Sequence, residues 1–178
     1  MVDERRTNVT FARAILHYLT RNGCRCIVLD IDTLYSSNSD YILSPMSERQ
    51  ARAVEVLVPD PECDLEFDIT NLVSSEPDKT IIIDSLNSMY HLLAARGQSY
   101  RGRKLAFIMA CFSYLARAEK KAVIITMYRR ENITRLDRGR QMSGLSDQLF
   151  LVDPGDQTLV LRCDRGDYSP HIFSLPIL

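Results

Sequence analysis

Three short apolar runs in this chain each end on a polar residue. They are Ile27-Val28-Leu29-Asp30, Ile81-Ile82-Ile83-Asp84 and Val123-Ile124-Ile125-Thr126. No polar side chain interrupts them, so strands built from them are expected to be buried. Helical periodicity lies between them. Val9, Ala12, Ile15, Leu16 and Leu19 recur at three- and four-residue spacing, as do Leu105, Ile108, Met109, Phe112 and Leu115. Strands alternating with helices imply a mostly parallel sheet covered on both faces, the α/β class.

Helices are expected over 8–20, 47–52, 64–73 and 102–119. Strands are expected over 24–30, 54–58, 80–84 and 122–127, and three closing strands over 148–152, 158–162 and 171–175. Asn22-Gly23 stops the first helix and Pro59-Asp60-Pro61 closes the second strand. Residues 33–45, rich in Ser, Asn and Tyr, read as a loop. Pro154-Gly155-Asp156 reads as the turn of an antiparallel hairpin near the C-terminus. No repeat or linker divides the chain, so residues 1–178 read as one domain.

No apolar run approaches the ~20 residues that span a bilayer, and no signal-peptide pattern opens the sequence. A cytoplasmic protein without a membrane partner is the expectation. The five cysteines form no C-x-x-C pair. Cys24 and Cys26 share a strand face, and reduced buried thiols are expected rather than a metal site.

The net charge of −1 hides an uneven distribution. Residues 1–95 carry 8 basic and 15 acidic side chains, and residues 96–140 carry 12 basic and 3 acidic. Such a basic segment fits a polyanion or an acidic partner, and it also fits a solvated helix face followed by a loop.

In open α/β sheets ligands bind beyond the carboxyl ends of the strands. The residues expected there are Asp30, Asp32, Asp84, Ser85, Thr126 and Asp147. Converging carboxylates are the ligand type that Mg²⁺ prefers, but an Asp at a strand end also commonly caps the next helix.

The order of these pieces resembles the core of the RecA/RadA/KaiC-like ATPase superfamily. Ile81-Ile82-Ile83-Asp84-Ser85-Leu86 is similar to its Walker B segment, whose Asp holds the Mg²⁺ of bound ATP. By that resemblance Asp84 is the metal-binding position, Asp32 stands where the family carries a catalytic Glu, and Thr126 ends the sensor strand. Ser146 to Leu151 and Arg165-Gly166 resemble the final strand and hairpin of the KaiC-like branch. The implied fold is a RecA-like sheet with helices on both faces and a C-terminal antiparallel hairpin.

The departures from the family bear on activity. A gapless register back from Gly23 places Val2 to Val9 on the phosphate-binding loop, G-x-x-x-x-G-K-[ST]. Val2 and Thr7 replace its glycines, Asn8 its lysine and Val9 its hydroxyl, while Asp3 and Glu4 add negative charge. Glycines let backbone amides wrap the phosphates, and the lysine supplies charge. Because the register fills all eight positions, no upstream loop is expected. Cys163 also stands where a KaiC-like Lys would be. The expectation is a degenerate Walker A, vestigial Asp32, Asp84, Ser85 and Thr126, no required cofactor, and ATP with Mg²⁺ held weakly if at all.

The basic segment falls in the slot that contacts DNA in RecA-like recombinases. Tyr128, Arg129, Arg130, Arg135, Arg138 and Arg140 follow the sensor strand, and Arg96, Arg101, Arg103 and Lys104 follow Walker B. Arginines suit phosphates and the tyrosine suits base stacking. Three functions remain open on sequence. The first is a non-catalytic RecA/RadA-like paralogue that binds single-stranded nucleic acid in recombination or repair. The second is a pseudo-ATPase subunit regulating a RecA- or KaiC-like partner. The third is a Mg²⁺-dependent enzyme such as a nuclease, weakened because His17, His91 and His171 have no evident catalytic partner. A homodimer is expected over a filament.

Overall fold

The computed structural model describes residues 4–60, 69, 79–95, 101–118, 120–127, 148–154, 157–165 and 172–177. Four parallel strands form the main sheet: β1 (Arg25–Asp30), β2 (Val54–Leu57), β3 (Lys79–Asp84) and β4 (Val123–Ile125). Their spatial order is β2-β1-β3-β4. The register pairs Ile27 with Ile81 and Ile81 with Val123, so the three apolar runs lie side by side.

Alternate residues of these strands feed two cores. Ile27, Leu29, Ile81 and Ile83 pack with α5 (Leu86–Ala95) and α6 (Arg101–Ala118) through Met89, Leu93, Ile108 and Phe112. Cys26, Val28 and Ile82 pack on the other face with α1 (Glu4–Arg21) through Ala12 and Leu16. Two short helices, α2 (Leu34–Ser37) and α3 (Ser39–Leu43), add Leu34, Tyr35 and Ile42 to that side. The uninterrupted apolar runs thus have helices on both faces, as the period of two requires.

The closing strands β5 (Leu149–Pro154), β6 (Thr158–Arg165) and β7 (Ile172–Pro176) form a separate antiparallel sheet in the order β5-β6-β7. Its inner face packs Leu159 and Leu175 against Ala14, with Phe11, Ile15 and Val152 alongside. Helix α1 therefore serves both sheets, which explains its apolar residues on more than one side.

Several boundaries differ from the sequence reading. The expected 33–45 loop holds α2 and α3, and the helix expected from Asn8 begins at Glu4. The short helix α4 (Glu48–Ala51) has a capping box, in which the Ser47 side chain accepts from Gln50 N–H and the Gln50 side chain accepts from Ser47 N–H. Of the helix expected over 64–73, only Ile69 is described, and it is helical and buried. Among the described residues no helix is long and apolar enough to cross a membrane.

Candidate strand-end site

Residues Asn22 to Cys24 link α1 tightly to β1, with Cys24 N–H donating to Leu19 O at 3.0 Å. The C-terminus of α1 therefore sits at the amino ends of the parallel strands, and its N-terminus points toward their carboxyl ends. Asp30 and Asp84 are neighbours in register there. By strand alternation both share the face of Cys26, Val28 and Ile82, the face that α1 covers.

Asp30 is fully buried and its carboxylate is committed. Oδ1 accepts Tyr35 N–H at 3.1 Å and Oδ2 accepts Ser36 N–H at 2.7 Å. These amides belong to the first turn of α2, whose own N-cap, Thr33, makes no side-chain cap. Asp30 is thus the distal cap of α2, satisfying amides that the helix leaves open. Its negative charge also complements the helix N-terminus.

Asp84 is 2% exposed, and its Oδ1 accepts the Thr126 hydroxyl at 2.6 Å. Main-chain bonds fix the pair. Thr126 N–H donates to Ile83 O at 3.0 Å, and Leu86 N–H donates to Thr126 O at 2.9 Å. The Asp84–Ser85 peptide is cis. The buried Ser85 hydroxyl donates to Asp32 Oδ2 at 3.1 Å and lies 3.1 Å from the Ser88 hydroxyl. Asp32 itself is exposed. Ser88 belongs to this cluster and carried no signal in the sequence, because its role depends on the first turn of α5.

Among the described residues no group of three His, Cys, Asp or Glu side chains could hold a metal ion. Of the four carboxylates expected to converge, Asp30 turns to α2 and Asp32 accepts from Ser85, beside Asp84. Asp147, Tyr128, Arg129, Arg130, Arg135, Arg138 and Arg140 lie outside the described residues. Arg101 and Arg103 begin α6, with Arg103 exposed and Lys104 half-buried.

Residues 4–9 are helical, so the amides of Asn8 and Val9 lie inside α1 rather than in an open loop. The Thr10 hydroxyl bonds back to Arg6 O at 2.8 Å within the same turn. Cys163 is buried in the second sheet, opposite Phe150. His17 is half-buried within α1, and His91 is exposed with its ring edge-on to Tyr90.

No family model matches the sequence. No curated protein matches it either. Among solved structures the chain is similar to the crystal structure of the RadB recombinase, with a TM-score of 0.65 at 14% identity. The match covers 94% of this chain and 84% of that one. The chain therefore has a RecA-like fold, in agreement with the order of elements in its sequence.

Proposed function

We propose that this chain is a RecA-like paralogue that binds single-stranded nucleic acid without hydrolysing ATP, as an accessory factor in recombination or repair. The observation that carries the reading is the commitment of the strand-end residues to internal contacts. Asp30 caps α2, and the Thr126 hydroxyl is given to Asp84. Phosphoryl transfer depends on groups positioned on the phosphates and the ion. A helix through positions 4–9 and an asparagine in place of the loop lysine supply no such positioning. A scaffold keeps its shape when its chemistry is gone.

The charge distribution supports the nucleic-acid part. Strand β4 runs parallel to β3, so Met127 leaves the sheet at its carboxyl edge. Helix α6 leads into β4 across residues 119–122, which places its last turn at the amino edge. Its first turn, with Arg101, Arg103 and Lys104, is about 25 Å back along the helix axis. The reading expects the basic segment after Met127 to work from the same end of the sheet as Arg103 and Lys104. The relation to the RadB recombinase, a protein of similar fold, agrees with a place in recombination.

Fluorescence anisotropy of a labelled single-stranded oligonucleotide, titrated at two salt concentrations, tests the binding. Saturable binding that weakens steeply with salt is expected. A Mg²⁺-dependent ATPase rate abolished by Asp84→Ala would refute the non-hydrolysing part.

A further inference from the structure

Helix α1 buries two of its sides and leaves a third open. Ala12 and Leu16 face the parallel sheet, and Phe11, Ala14 and Ile15 face the second sheet. Between them Arg6, Thr10, Arg13, His17 and Arg21 recur at steps of four, three, four and four residues, so they form one row along the helix. Arg6 and Arg21 are exposed, and Thr10, Arg13 and His17 are half-buried. Glu4 opens the helix, but from Arg5 to Arg21 it holds no acidic residue, so no pair within the helix neutralises the row. None of Arg6, Arg13 and Arg21 forms an ion pair among the described residues.

Helix stability does not account for this row. Arg21 suits the last turn, but Arg6 stands in the first turn, where a cation opposes the helix dipole. The Arg13 guanidinium carbon lies 4.4 Å from the centre of the Tyr41 ring, and the buried Arg13 Nε has no hydrogen-bond acceptor among the described residues. Tyr41, on α3, is 45% exposed on one side of the row. Tyr18, in helical step with Phe11, Ala14 and Ile15, is 53% exposed on the other. The acidic residues of the neighbouring α3 and α4 are Asp40 and Glu48, and Glu48 is already paired with Arg52. The open side of α1 is therefore a strip of uncompensated positive charge with an aromatic ring on each flank.

We infer that an acidic amphipathic helix of a partner protein lies along α1, with its carboxylates on Arg6, Arg13 and Arg21 and its apolar side chains on Tyr18 and Tyr41. Spacing selects such a helix over nucleic acid. The arginines stand seven and eight residues apart, about 10 and about 12 Å along the axis. Each interval is close to two helical turns, so one acidic residue on every second turn of a partner helix meets each arginine. A strand of duplex nucleic acid carries a charge about every 3.4 Å, and this row would leave most of those phosphates unmet. Arginine also offers a carboxylate a planar, two-pronged donor, and arginine and tyrosine are enriched in protein interfaces. The inference does not depend on nucleic-acid binding.

Fluorescence anisotropy with two labelled synthetic peptides tests the surface. One peptide is helical, with glutamates at the spacing of the three arginines and leucines on the adjoining face; the other holds the same residues in scrambled order. The helical peptide is expected to bind the unaltered chain saturably, more weakly as salt rises, and more tightly than the scrambled one. Arg6→Glu with Arg21→Glu reverses two exposed positions, so folding is retained. That double variant is expected to lose about tenfold in affinity for the helical peptide, and to regain it when the peptide carries lysines in place of its glutamates. Failure of the helical peptide to bind, equal binding of the two peptides, or unchanged affinity in the double variant would overturn the inference. So would a double variant that keeps the peptide and loses a single-stranded oligonucleotide, which would assign the row to phosphates.

Discussion

The Thr126 hydroxyl donates to Asp84 Oδ1 at 2.6 Å and joins the ends of two adjacent parallel strands. The carboxylate is buried, so the bond is made where a lost donor is costly. Thr126→Val keeps the shape and deletes the donor. Urea denaturation is expected to show a loss of about 1–3 kcal/mol. Thr126→Ser retains the hydroxyl and should lose less. Equal losses for the two variants would mean that packing of the methyl group, not the hydrogen bond, holds this corner.

Asp30 gives a second test of the strand ends. It accepts two amides of α2, so Asp30→Ala removes both bonds and leaves the turn uncapped. A destabilisation of about 2–3 kcal/mol is expected, since hydrogen bonds to charged groups are stronger than neutral ones. Asp30→Asn keeps one acceptor oxygen and should fall between. A site residue behaves differently: if Asp30→Asn leaves stability intact but abolishes ligand binding, the capping assignment is wrong.

These two residues also mark how far the sequence could be read. The sheet was legible because Ile27 to Leu29 and Ile81 to Ile83 admit no wet face, and α6 because its apolar residues keep a helical period. Residues 33–45 were not. Their Ser and Asn side chains favour turns locally, and the helices there depend on a distant cap, Asp30, and on burial of Leu34, Tyr35 and Ile42. Sequence placed Asp30 and Asp84 at strand ends, yet both cap and ligand remained open for Asp30. The choice lies in where the side chain turns, which local pattern does not encode. The hairpin of β5 and β6 was legible from its turn residues, but its separation from the parallel sheet is set by packing on α1.

The two faces of α6 predict opposite mutational costs. Phe112 is 1% exposed within the main core, so Phe112→Ala is expected to cost about 3–5 kcal/mol. Phe107, five residues earlier, points outward, and Phe107→Ala should stay within about 0.5 kcal/mol of the unaltered chain at low protein concentration. Thermal or urea unfolding of both variants measures the contrast. A large loss at Phe107 would place that ring in the core.

Cys26 is buried, and desolvation, with a smaller contribution from neighbouring Cys24, pushes its thiol up from 9.0 to about 11. Raising an acid's pKa in the folded state means that folding favours the protonated form. Below about pH 9 both folded and unfolded states hold the proton and the group adds no pH dependence. Between about 9 and about 11 the unfolded thiol ionises first, so this group lowers stability as pH rises. Alkylation of the native protein near pH 8 should therefore label Cys24 and Cys111, which are partly exposed, and spare Cys26 and Cys163. Mass spectrometry of the peptides reads this directly, and rapid labelling of Cys26 would contradict its place in the core.

The arginines after β4 make the last prediction quantitative. Each phosphate contact to a single strand contributes about −0.7 to the slope of log K against log salt. If Arg129, Arg130, Arg135, Arg138 and Arg140 each hold a phosphate, removing all five flattens that slope by roughly 3.5. Charge reversal at these positions should abolish binding at moderate salt, and neutral substitution should leave weaker binding whose residual salt slope comes from Arg101, Arg103 and Lys104. Tyr128→Ala acts in the other direction, lowering affinity at every salt concentration with the slope unchanged. Binding that keeps both affinity and slope in the five-arginine variant would move the phosphate contacts to Arg103 and Lys104 on α6, and absence of binding in the unaltered chain would turn the search to a protein partner.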